Sequence, residues 1–87
     1  MKNNDNEIKS VLKKFIVKNY LLGAEDAILG DDDSFLGEGI IDSIGVIELV
    51  RFIEARYGIK TKPAEIVPDN FDTLNDLVRY INKKLKV

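Results

Sequence analysis

Gly39-Ile40-Ile41-Asp42-Ser43-Ile44 is the stretch on which the fold of this chain turns. It ends a glycine-containing loop and sets two residues favoured at helix starts, Asp42 and Ser43, ahead of an apolar-periodic run. Val46, Leu49, Val50, Ile53 and Tyr57 make one stripe at helical spacing, so a helix is predicted over about 42–57, with Gly58 as its stop. Ile44 and Ile47 fall off the stripe, toward the side shared with Glu48, Arg51 and Glu54, and are candidates for exposure.

Upstream, Ile8, Val11, Leu12, Phe15, Ile16 and Leu22 recur at helical spacing, with Lys9, Lys13, Lys14 and Lys18 largely opposite them. A first helix over about 5–22 is predicted, capped by Asn4 or Asp5 and ended by Gly23. Residues 23–41 hold four glycines, a run of three aspartates and scattered apolar residues (Ile28, Leu29, Phe35, Leu36, Ile40, Ile41). A loop that long inside a compact domain is functional or packed by its own side chains. Downstream, Pro63 opens a short helical turn at about 63–67. A last helix follows over about 72–84, with Leu74, Leu77, Val78 and Ile81 on one face. Thr73 and Asp76 approximate a capping box, and Lys83, Lys84 and Lys86 suit the C-terminal dipole. No strand pattern, repeat or linker appears. The expected architecture is all-α and spans 1–87 as a single domain: three main helices, one short helix and a long first loop.

Composition narrows the chemistry. Eighty-seven residues make room for one modest core and hardly for a substrate cleft. With no cysteine and no histidine, disulfides, thiolate nucleophiles and thiolate or imidazole metal sites are excluded. The carboxylates form no paired constellation, so no catalytic residue is assigned. Asp31-Asp32-Asp33 with Glu38 evokes a calcium loop, but the sixth position is Leu36 instead of glycine and the twelfth is Asp42 instead of glutamate. No metal site is assigned. No apolar run reaches membrane-spanning length and the N-terminus lacks a signal peptide's apolar stretch, so a cytoplasmic protein without membrane insertion is expected.

Net charge is −2, but it is unevenly spread. Between Asn19 and Val50 lie eight acids (Glu25, Asp26, Asp31, Asp32, Asp33, Glu38, Asp42, Glu48) and no Lys or Arg, while all thirteen basic residues lie outside, against seven acids. An acidic surface of this kind repels nucleic acid and attracts basic protein patches; a merely solubilising loop would look the same.

Within that block Ser43 sits where a helix offers N–H donors and a partial positive charge. A phosphate ester on Ser43 Oγ would lie against those donors. Capping alone also accounts for an Asp-Ser pair. Gly45, just inside the helix, costs up to about 1 kcal/mol relative to alanine and either eases the approach of a partner or is neutral.

Asp32-Asp-Ser-Phe-Leu-Gly-Glu-Gly-Ile-Ile-Asp-Ser-Ile-Gly-Val-Ile-Glu-Leu-Val resembles the signature of acyl carrier proteins and their peptidyl carrier relatives. The resemblance extends over nearly the whole chain, including Phe71-Asp-Thr-Leu-Asn-Asp-Leu at the opening of the last helix. It implies a carrier bundle in which Ser43 receives 4′-phosphopantetheine from a phosphopantetheinyl transferase, with Asp42 as the acid before the serine. It implies that acyl or aminoacyl thioesters ride on that arm between loading and processing enzymes. Ile44, Ile47, Glu48, Arg51 and Glu54 are then the partner-facing positions, and a monomer is expected. Arg51, Arg56, Lys60 and Lys62 depart from the acidic character typical of fatty acid carriers and favour a dedicated, specialised carrier. A different class remains open: a non-catalytic interaction module of the same fold that docks on a basic partner.

Overall fold

The computed structural model describes residues 5–20 and 30–85, Ser43 by its backbone alone. Helix α1 spans Asp5–Tyr20, α2 Ser43–Tyr57, α3 Pro68–Phe71 and α4 Leu74–Leu85, with a 3-10 turn at Pro63–Glu65. Among the described residues there is no strand, and no helix is long and apolar enough to cross a membrane. The architecture is the all-helical bundle expected of the sequence. Asn4, Leu22, Gly23, Glu25, Asp26, Ile28, Leu29 and Lys86 lie outside the described residues.

Each main helix forms because its apolar residues repeat with the helical period and find one another. Ile8, Leu12 and Ile16 of α1, Val46, Leu49, Val50 and Ile53 of α2, and Leu74, Leu77, Val78 and Ile81 of α4 are all buried in one core. Asp5 and Glu7 in the first turn of α1 and Lys18 in its last complement the helix dipole. Helix α2 ends where Gly58 adopts the left-handed conformation at φ 67°, its N–H donating to Glu54 O. At the start of α4, Asp76 N–H donates to Thr73 Oγ1 at 2.9 Å. The Asp76 carboxylate pairs with Arg79 at 2.6 Å, so the predicted capping box is half formed.

Two features between α2 and α4 differ from the pattern. The 3-10 turn closes at Glu65, and α3 is a separate helix in a stretch where none was predicted. Pro68 opens it at a position that needs no N–H, and Asp72 N–H donating to Pro68 O closes it. The last helix accordingly starts at Leu74 rather than 72. Tyr80, off the predicted α4 stripe, is buried against Phe71 with ring centroids 4.9 Å apart, and its hydroxyl donates to Thr61 Oγ1 at 2.9 Å.

The segment before α2 is irregular but firmly attached. Phe35, fully buried, plugs it into the core. Around it Phe35 N–H donates to Asp72 O (2.7 Å), Leu36 N–H to Asp72 Oδ1 (3.0 Å) and Ser34 Oγ to Asp72 Oδ2 (2.6 Å). Ile40 and Ile41 N–H both reach back to Phe35 O, across a turn that Gly39 makes at φ 69°. One aspartate at the end of α3 thus anchors the loop that delivers the chain to α2.

Candidate functional site

The start of α2 is built from both sides of the chain. Asp42 is the N-cap, with extended backbone angles, and its Oδ1 accepts Gly45 N–H at 2.8 Å while its carbonyl accepts Val46 N–H at 3.0 Å. Ser43 is therefore the first helical residue and not the cap. From α1, the Tyr20 hydroxyl donates into a pair of acceptors, Gly45 O at 3.1 Å and Glu48 Oε1 at 3.2 Å. Burial, and after it the hydrogen bond and charge of Glu48, push the Tyr20 phenol up to about 12, so it stays a donor at neutral pH. Phe15 meets Tyr20 edge-on and stacks on Phe52 at 4.1 Å, tying α1 to α2 alongside that contact.

Gly45 is buried in this joint. A Cβ there would stand 2.7 Å from Ile41 Cγ2 and 3.1 Å from the Tyr20 ring. The glycine is thus demanded by the chain's own packing, where the sequence alone pointed to a partner's approach or to neutrality.

The other predicted positions divide into two groups. Ile44 (74% exposed) and Ile47 (43%) stand in solvent, as does Arg51. The carboxylates of Glu48 and Glu54 are engaged within the chain, Glu48 by Tyr20 and Glu54 by Thr61 N–H at 2.9 Å. The aspartate run is likewise tied down. Asp31 pairs with Lys9 at 2.9 Å, Asp32 accepts from Asn75 Nδ2 at 2.7 Å, and Asp33 accepts Gly30 N–H at 2.8 Å. These three carboxylates have separate partners, and no group of three metal-ligating side chains occurs among the described residues. Tyr20 and Asp72 are the residues sequence reasoning missed; both act across distant chain segments, and no local pattern marks them.

An open groove of about 190 Å³ runs beside the helix start, lined by Leu36, Val46, Ile66, Val67, Pro68 and Phe71. A larger cavity of about 560 Å³ lies against Arg56 and Tyr57, at the far end of α2. At 1.5 Å per residue that is roughly 20 Å from Ser43. Of these two, the smaller groove lies nearer the Asp-Ser start.

Comparison with known proteins places these features in a family. Residues 20–81 match the family described as "Phosphopantetheine attachment site". The chain is 29% identical over 63 residues to the D-alanyl carrier protein of Abiotrophia defectiva, covering 70% of this chain and 80% of that one. It is 35% identical over 60 residues to the D-alanyl carrier protein of Bacillus velezensis (strain DSM 23117 / BGSC 10A6 / LMG 26770 / FZB42), covering 68% of this chain and 77% of that one. The chain belongs to the phosphopantetheine-attachment family of acyl and peptidyl carrier proteins.

Proposed function

We propose that this carrier holds a small aminoacyl group, D-alanine by similarity to its named relatives, as a thioester on 4′-phosphopantetheine attached to Ser43, and delivers it to partner enzymes without catalysing a reaction itself. The observation that carries this reading is the division of labour at the start of α2. Asp42 performs the capping, so Ser43 is not needed for it. Ser43 begins the helix, and its neighbours Asp42 and Ile44 are both exposed.

The residues present fit the group. Ser43 would hold it covalently, and the N-terminal turn of α2, with its dipole, favours the phosphodiester charge. The serine oxygen forms the new bond to phosphorus of coenzyme A, adenosine 3′,5′-bisphosphate leaves, and the hydroxyl proton passes to a base on the transferase. When attached, the arm supplies a terminal thiol, which this cysteine-free chain lacks. The open groove beside the helix start, about 190 Å³, has room for a small aminoacyl group. Exposed Ile44, Ile47 and Arg51 offer a mixed apolar and basic face for the loading and receiving enzymes.

The test is direct. Incubation with coenzyme A and a broad-specificity phosphopantetheinyl transferase should add the mass of one phosphopantetheine, and Ser43→Ala should abolish the addition. The loaded form, offered D-alanine or L-alanine with a D-alanine-activating enzyme and ATP, should take the D isomer in a hydroxylamine-labile bond. Labelling that survives Ser43→Ala would sink the attachment site. An unlabelled protein that still captures a basic partner would point instead to a plain interaction module.

A further inference from the structure

The hydroxyl of Tyr20 has no part in the attachment chemistry, yet it is aimed at the turn that carries Ser43. It meets Gly45 O at 3.1 Å and Glu48 Oε1 at 3.2 Å, two and five residues beyond the serine. A phenol has one proton to share between these acceptors, so the contact couples a backbone carbonyl to a carboxylate. Gly45 is gripped at both ends, because its N–H is already given to Asp42. Glycine weakens a helix more than any residue but proline, through its backbone freedom. At this position the freedom is cancelled by a cap from the preceding residues and a strut from another helix.

The strut is packed on more than its hydroxyl. The Tyr20 ring lies against Gly45, close enough that a Cβ there would be 3.1 Å from it, and Phe15 meets the ring edge-on. Without the hydroxyl, the ring would still fill its place, but the Gly45 carbonyl and the Glu48 carboxylate would be released from each other. We propose that Tyr20 is a positioning residue for modification at Ser43: its hydroxyl holds the first turn of α2 and fixes the direction of the Glu48 carboxylate, so that the serine is presented to the transferase in one geometry.

The inference rests on attachment at Ser43, and the experiment keeps the two apart. Wild type, Tyr20→Phe, Glu48→Gln and Tyr80→Phe are compared for pantetheine transfer by intact mass, with thermal unfolding run in parallel. Tyr80→Phe deletes an equivalent internal hydroxyl that bonds Thr61, away from the start of α2. Tyr20→Phe should raise KM for the carrier about fivefold, the equivalent of one ordinary hydrogen bond, with kcat little changed. The ordering of the turn is then completed on binding instead of beforehand. Glu48→Gln, which keeps an acceptor oxygen, should lie closer to wild type, and adding it to Tyr20→Phe should raise KM by less than the product of the two single effects. Tyr80→Phe should lower stability without moving KM. Equal KM for Tyr20→Phe and wild type, or equal KM increases in Tyr20→Phe and Tyr80→Phe, overturns the positioning role. Absence of labelling in the wild type would overturn the attachment reading and, with it, this inference.

Discussion

At Gly45 two opposing effects meet in one methyl group. Alanine favours an isolated helix over glycine by about 1 kcal/mol. Here the added Cβ would stand 2.7 Å from Ile41 Cγ2, on a side chain that is 2% exposed and cannot swing away. Overpacking of that kind typically costs about 1–3 kcal/mol, so after the helix gain Gly45→Ala should destabilise by a net of up to about 2 kcal/mol in urea unfolding. A gain in stability would show that Ile41 and Tyr20 yield easily. The neighbouring pair, Asp42 and Ser43, was legible as a helix start from residue type alone. Which of the two caps was not legible, because both side chains suit the position and only the backbone geometry separates them.

At the scale of elements, the loop before α2 is fastened to the end of α3. Asp72 takes two hydrogen bonds on its carboxylate and one on its carbonyl, all from residues 34–36. Asp72→Ala should cost about 1–2 kcal/mol, since Leu36 N–H and the Ser34 hydroxyl lose their acceptor but remain within reach of water. Hydrogen exchange should quicken first at Leu36, Ile40 and Ile41. The 3-10 turn offers a second test. Glu65 accepts Lys62 N–H at 2.9 Å and pairs with Lys84 at 3.0 Å, and these, in that order, hold its carboxyl below the usual 4.5. A lowered folded pKa means that the stabilisation is complete above about pH 4.5 and fades as pH falls through the lowered value. The acid limb of a Tm-against-pH curve should therefore flatten in Glu65→Gln; an unchanged limb would assign it to other carboxylates. The main helices were readable because three turns or more repeat an apolar period. Helix α3, four residues long, has no period to read, and the Ser34–Asp72 bond spans 38 positions that no local pattern relates.

Across the whole molecule, most of the described acids of the middle block take part in bonds within the chain. Asp31, Asp32, Asp33, Asp42 and Glu48 each hold another part of the chain. Charge counted along a sequence cannot distinguish a carboxylate facing a partner from one fastening a loop. The exposed surface of α2 is instead marked by Ile44 and Ile47, whose exposure followed correctly from their departure from the apolar stripe. Ile44→Ala should leave stability within about 0.5 kcal/mol of wild type, as for most surface substitutions, while lowering kcat/KM with a loading enzyme several-fold. A loss of stability matching the loss of loading would place Ile44 in the fold and remove it from the docking face.

The anchoring of the loop by Asp72 also has a temporal side. The ribosome makes this chain from its N-terminus, so Phe35, Ser43 and all of α2 emerge before the residue that fastens their approach. A nascent chain that ends short of α3 can cap α2 locally through Asp42, but it cannot seat the segment that leads into it. The serine thus acquires its finished surroundings only after Asp72 has been made. On the proposed attachment at Ser43, a transferase that recognises those surroundings would pass over chains that end before Asp72.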